Sequence, residues 1–421
     1  MAVSLTPTPP ILFSNPFFSS AIATRGNYSS RLPLQASPRP CFPHVQASPV
    51  AAKATPSSSI EQETTDVDYD DVAPKMLSSY GPSLWGDYFL NYEPKPLQAY
   101  TTPTAGADEL GCRDGFLHEY SQIIEQYYSP LGHVGLNYAR DRLVEGYIWC
   151  YAIYHEKDFA LSRIFLTKQL MLISLMDDTY DSHATIEECR LLNAAIQRWD
   201  ESATSLLPNY LQRFYIELLR IFNEHKREVA IRDTYHVAYA RKVFQDLSAY
   251  YLQEAEWLHQ NHKPSFKDQM SLSAMSIGSP TLCIGLMVGM GDLVTRESFE
   301  WAAGYPNVTI SCGKIACLMD DIAAFKGGKA KGDITTSIEC YMVEHRVTSA
   351  VAISKILSLL EDDWKTLNQA LFQHHAQLPM VRRIINFANS MPLFYAEKDA
   401  YTFNIHLKDT VESLFVETIP M

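Results

Sequence analysis

No Asp or Glu occurs in residues 1–60 of this 421-residue chain. Those residues are rich in Ser, Pro and Ala, with Arg25, Arg31, Arg39 and Lys53 as their charges. An acid-poor, Ser-rich, mildly basic leader is the composition of an organelle transit peptide, with plastid delivery expected. A plain tail, which cannot bury enough surface to fold, and a cytoplasmic location are the alternatives. No unbroken apolar run of about 18 residues occurs, so no transmembrane helix is expected. Nor does any basic stretch offset the formal charge of -13, which argues against a nucleic-acid partner. An anionic substrate is not excluded, because carboxylates can hold an anion through metal cations placed between the two. The eight cysteines form no CxxC and no zinc-like set with histidine. Most lie in apolar helical stretches, where a thiol behaves as a small hydrophobe, and a reducing compartment is the simpler setting.

Proline thins out abruptly. Fifteen of the 23 prolines precede residue 105. An acidic patch, Glu61 to Asp71, and an aromatic island, Ser83 to Phe89, lie in that stretch. From about residue 113 strand-like alternation and hairpin dipeptides are scarce. Phe116, Tyr120, Ile123 and Tyr127 step by 4, 3 and 4, and Ile353, Leu357, Leu360, Trp364, Leu367 and Leu371 repeat the pattern. Breaks fall at Pro130-Leu131-Gly132, Leu207-Pro208-Asn209, His262-Lys263-Pro264, Gly304-Tyr305-Pro306 and Gln377-Leu378-Pro379. The expected fold is all-α, a large antiparallel helical bundle, whose core is where facing side chains build metal and ligand sites.

The strongest chemical feature is Asp177-Asp178-Thr179-Tyr180-Asp181, directly after the apolar run Leu170 to Met176. Helical residues four apart are neighbours, so Asp177 and Asp181 are expected to point the same way. Two unpaired carboxylates there repel, and hard oxygen ligands suit Mg²⁺ or Mn²⁺. A solvated helix end is the other reading, weakened by the apolar run before it. A second pair, Asp320-Asp321, also ends an apolar stretch. Two such pairs on different helices suit divalent ions clamping a diphosphate; an exposed or capping pair is the alternative.

With these motifs assembled, the chain resembles the plant class I terpene synthases from about Tyr138 to its C-terminus. Asn137 to Glu145 with Trp149 looks like the segment carrying diphosphate-sensing arginines and a cavity-wall aromatic. Asp177 to Asp181 is similar to the family's aspartate-rich metal motif. Ala195 to Asp200, Asp320-Asp321, Ser337 to Met342 and Asp399 to Thr402 follow in the family's order. The leader over 1–60 is the transit or disordered segment expected from its composition. The resemblance implies a catalytic domain over 113–421 and, over 61–112, the remnant of a preceding helical domain, most of which is absent. It implies Asp177, Asp181 and Asp320 as metal ligands. Arg140 and Arg142 would hold the departing diphosphate of a prenyl diphosphate, Asp177 and Asp178 of the aspartate-rich motif would belong to the catalytic set, and Trp149 and Tyr401 would line the cavity. No paired arginines precede the Ser83 to Phe89 island. The catalytic region looks more like the fifteen-carbon (farnesyl) enzymes, whereas the leader suggests the ten-carbon (geranyl) substrate.

The second metal motif departs from the family's pattern of acid, hydroxyl or Gly, and Glu at four-residue spacing. The series here is Asp320, Ala324 and Gly328, and Cys317 stands where an arginine is usual. Losing those oxygens should weaken an octahedral Mg²⁺ site, and losing the arginine removes a charge-assisted contact to the leaving group. Weak or absent turnover is therefore expected, and a degenerate paralogue that binds without turnover is the rival. A chain-elongating prenyltransferase would need two complete DDxxD motifs, and Asp320 to Ala324 lacks the last Asp.

Overall fold

The helical periodicity is realised from Leu143 onward in a computed structural model, which describes residues 84–85, 119–120, 122–123, 138–327 and 336–415. The leader, the acidic patch, the first expected break, most of the aromatic island and Gly328 lie outside the described residues. Among those described there is no strand.

The helices that position the site are α1 (Leu143–Ile153), α2 (Ala160–Asp178), α3 (Ile186–Arg198), α4 (Asn209–Glu228), α5 (Thr234–His259), α6 (Phe266–Ser276), α7 (Ser279–Gly285), α8 (Arg296–Ala303), α9 (Asn307–Gly327), α10 (Ser337–His345), α11 (Ser349–Gln373), α12 (Leu378–Tyr395) and α13 (Lys408–Phe415). Their starts follow from local chemistry. Pro208 sits at the N-cap of α4, and Ser265 caps α6 by accepting from Asp268 N at 3.1 Å. Thr185 with Glu188, and Thr336 with Glu339, form reciprocal capping boxes for α3 and α10.

The central element is α9, packed on α6, α7, α11 and α12. It approaches the α6–α7 junction closely because position 313 is Gly. A Cβ there would meet Ala274 O at 2.1 Å. The junction itself turns through Gly278 at φ +81°, a left-handed conformation that favours glycine. This break was not among those expected, although Pro280 in the first turn of α7 marks it.

One expectation needs correction, and one helix needs comment. The Lys157–His183 segment is apolar enough over one window to cross a membrane, but 78% of that window is buried inside the fold. It reads as a core helix whose apolar surface is met by protein. On α11 the inward residues are Ala352, Ile356, Asp363, Leu367 and Ala370, while Leu357 is 49% exposed. A helix at the margin of a bundle covers only part of its apolar stripe, so the buried line lies partly off the one expected.

Candidate active site

The apolar residues of α2 drive it into the core, and this carries its C-terminal acids inward. After Asp178 the chain widens into a π-turn over Thr179–His183, a geometry frequent at functional sites. The stretch is therefore not the plain α-helix expected, yet Asp181 still faces Asp177, whose charge raises its pKa.

Arg140 lies across the first two acids. Its Nη2 is 2.6 Å from Asp177 Oδ2 and its Nε 2.9 Å from Asp178 Oδ1. Its backbone N–H donates to Asp178 Oδ2 at 2.7 Å, and Nη1 donates to Thr402 Oγ1 at 3.1 Å. Arg142, expected beside it on the departing anion, is 1% exposed. Its Nε donates to Tyr401 O, its Nη2 to Thr402 O and its Nη1 to Asp141 O, at 2.7–2.8 Å. Two residues after Arg140, it ties down the C-terminal segment in this conformation.

Burial raises Asp178 to about 6 against the opposing pull of Arg140. It raises Asp181 and Asp320 well above the usual carboxylate range, with neighbouring carboxylates adding to the shift. Asp177 is raised by burial despite Arg140, yet keeps 30% of its side-chain surface exposed. Dense surroundings with residual exposure describe a recess open to water. Asp320 feels the charges of Asp399, Asp321 and Asp177, and Arg140 opposes them. The two acidic motifs therefore face one region from different helices.

Sequence reasoning missed a further acid, Glu254 of α5. Burial pushes its carboxyl up to about 8, Ser276 donates to it at 2.7 Å, and Asp177 and Asp321 raise it further. The clue was legible: Leu247, Tyr251 and Glu254 step by four and three, so an acid stands on the buried stripe of α5. Tyr251 of the same stripe lies near enough to Asp177 to lower its pKa.

Trp149 and Tyr401 are buried together, ring centroids 5.5 Å apart. Phe394 stacks on Trp149 at 4.0 Å. The Trp149 indole donates to Ser390 Oγ at 2.7 Å, and the Tyr401 hydroxyl meets Ser174 Oγ at 2.6 Å. The Arg140 guanidinium carbon lies 5.6 Å from the Tyr401 ring centre, so the aromatic cluster borders the acidic recess.

The carboxylates fit a divalent cation at the first motif: Asp177, Asp181 and Glu254 form a like-charged group in a recess, and Arg140 is the cation acting on both aspartates. Among the described residues no three His, Cys, Asp or Glu side chains are grouped so as to hold a metal ion by themselves. That suits Mg²⁺, which takes one or two carboxylates and fills its octahedron with water and phosphate. The second motif fits less well. Ala324 offers no oxygen, Asp321 Oδ2 accepts from Ser337 N and Oγ, and the Cys317 thiol is buried against Lys314 O.

A helical bundle with two acidic motifs facing a recess beside an aromatic cluster defines a class of metal-dependent diphosphate-binding folds. Residues 131–366 match the family model described as "Terpene synthase family, metal binding domain"; the chain belongs to the terpene synthase family. It is 49% identical to tau-cadinol synthase from Zea mays over 300 residues, 71% of this chain and 55% of that protein. It is 50% identical to alpha-copaene synthase from Zea mays over 305 residues, 71% of this chain and 57% of that one. The chain thus spans about half the length of these curated relatives. Isoprene synthase from grey poplar leaves shares the fold, with a TM-score of 0.65 at 24% identity, covering 76% of this chain and 62% of that one. Its complex with three Mg²⁺ ions and dimethylallyl-S-thiolodiphosphate gives a TM-score of 0.64 at 23% identity, over 76% and 63%.

Proposed function

We propose that the protein ionises a prenyl diphosphate, farnesyl diphosphate in the first instance, as a class I terpene synthase with an impaired second metal site. One observation carries this reading: acids of α2, α5 and α9 meet over one recess, with Arg140 among them and aromatic rings at its border.

Asp177, Asp181 and Glu254 would hold Mg²⁺ or Mn²⁺, with Asp320 reaching from the opposite side. A divalent cation bound there supplies Lewis acidity toward the phosphate oxygens. Arg140 sits where its guanidinium can exchange carboxylate partners for the anionic oxygens of a diphosphate, for which its planar fork is suited. The C–O bond then breaks with its electron pair leaving on diphosphate. The allylic cation that remains needs an apolar setting with π faces, and Trp149, Phe394 and Tyr401 provide rings beside the acids. Exclusion of water by these buried residues protects the cation from quenching. The two maize relatives, sesquiterpene synthases by name, favour the fifteen-carbon substrate. The acid-poor leader favours plastid delivery.

Cys317, Ala324 and the engagement of Asp321 with Ser337 favour the second reading, a paralogue that binds metal or ligand without turnover. The experiment is incubation with geranyl and farnesyl diphosphate and Mg²⁺ or Mn²⁺, followed by volatile analysis, on the natural chain and on the Ala324→Ser/Gly328→Glu variant. Weak or absent product from the first and clear product from the second is expected. Ordinary turnover by the natural chain would refute impairment. Silence from both, with metal binding intact, would leave the non-catalytic paralogue; silence without metal binding would overturn the site.

A further inference from the structure

Trp85 stands far in sequence from every motif named above, yet its indole is buried against the base of α1. Its Nε1 donates to Glu145 Oε1 at 3.2 Å. Glu145 is fully buried in the first turn of α1, three residues after Arg142. The same Oε1 accepts from Asn404 Nδ2 at 2.9 Å. Asn404 follows the segment that Arg142 holds by the Tyr401 and Thr402 carbonyls and that Arg140 holds by the Thr402 hydroxyl. The N–H groups of Tyr401 and Thr402 turn back onto Asp399 Oδ1 at 3.1 and 2.9 Å. Residues 399–404 thus form a strap against the acidic motif, and its far end is tied to one carboxylate oxygen shared with Trp85.

That sharing has an energetic consequence. A carboxylate taken out of water needs its hydrogen bonds made. Burial raises the pKa of the Glu145 carboxyl, Oε2 has no hydrogen-bond partner, and apart from the nearby charge of Arg142 the side-chain donors Asn404 and Trp85 offset that burial through Oε1. Removing the indole donor leaves a poorly satisfied buried acid, which draws in water at the expense of the Asn404 contact.

We propose that Trp85 is a positioning residue: its indole N–H, through Glu145 and Asn404, holds the 399–404 strap against the Arg140–Asp177–Asp178 cluster. Trp85 of the aromatic island then has a present role, the anchoring of a segment more than three hundred residues away. The catalytic meaning of the strap rests on the function proposed above; its mechanical coupling to Trp85 does not.

The test is hydrogen–deuterium exchange, read by mass spectrometry on the full-length chain, so it needs no turnover. Trp85→Phe keeps the ring and removes the donor. Exchange in the 399–404 peptide should rise about tenfold, the effect of losing one hydrogen bond to a charged group, with exchange in α9 unchanged. Glu145→Gln keeps an acceptor oxygen and should preserve most of the protection. In the Trp85→Phe/Asn404→Ala double variant the increase should be clearly smaller than the product of the two single effects, because both act through one oxygen. Unchanged strap exchange in Trp85→Phe, or independent effects in the double variant, would overturn the proposal. Should Trp85→Phe raise exchange throughout α9, Glu145→Leu serves as the second probe: it removes the shared oxygen and keeps an apolar side chain, so strap-selective exchange is expected and protection equal to the natural chain counts against the relay. Absence of product from prenyl diphosphates bears on the functional reading alone.

Discussion

Arg140 and Asp177 are in contact at 2.6 Å, so a guanidinium already neutralises part of the acidic motif. A divalent cation entering there competes with it. Replacing Arg140 by Gln should tighten Mn²⁺ binding by about tenfold, a small share of the Coulomb energy between unit charges a few ångströms apart. The same change should weaken pyrophosphate binding in the presence of the metal. Asp177→Asn and Glu254→Gln should both weaken Mn²⁺. Paramagnetic resonance titration of free Mn²⁺ reads all three, and an unchanged affinity in Asp177→Asn would remove that residue from the ligand set.

Gly313 marks where α9 closes on the α6–α7 junction. Because a Cβ would come within 2.1 Å of the Ala274 carbonyl oxygen, Gly313→Ala should destabilise the protein by about 1–3 kcal/mol, the usual cost of overpacking. Thermal melting should fall by several degrees. Gly327→Ala, whose Cβ meets nothing within 4 Å, is the control and should hold or slightly raise the melting temperature.

His225 supplies a pH dependence away from the acidic site. It is fully buried between Phe165 and Phe222, and neither ring nitrogen has a hydrogen-bond partner. Burial first, and then the charges of Lys168 and Arg220, hold its pKa well below the ordinary 6.5. The unfolded chain takes up a proton as pH falls through about 6.5, whereas the folded chain does not. The stability of the neutral ring is thus fully present above that value and is lost progressively as pH drops below it. His236 contributes in the same direction, lowered chiefly by burial. The raised carboxyls of Asp178, Asp181, Glu254 and Asp320 act in the opposite direction over this range, so the His225 contribution is read as a difference. From pH 7 to pH 5 the urea midpoint of the natural chain should lose ground to that of His225→Leu. An identical slope in the variant would assign the effect elsewhere.

Much of the fold was legible because its code is local. Pro208, Pro264 and Pro306 stand just before or at helix starts, since proline cannot continue a helix and its neighbours cap one. The break at Ser276 to Ser279 was not singled out, although Gly278 followed by Pro280 is a local stop-and-start signal; what the order of residues did not show is the approach of α9 to that junction at Gly313. Asp177, Asp181 and Asp320 were readable as acids at the ends of apolar runs. Glu254 was not singled out, although its place on the buried stripe of α5 offered the clue. The contrast between Arg140 and Arg142 was hidden, for two arginines one residue apart look alike until their partners are known.

The amino-acid order by itself determined that the chain is helical, that acids end two of its most apolar stretches, and that Ala324 and Gly328 stand where oxygen ligands would complete a metal site. Periodicity and residue chemistry suffice for the first two; the third is what the resemblance to the terpene synthases implies. Only the tertiary structure decided that Glu254 joins those acids, that Arg142 serves a backbone segment, and that Trp85 reaches Asn404 through one buried oxygen. Such pairings depend on which side chains packing brings within about 3 Å, and a distance between remote residues is written nowhere in the order of either one's neighbours.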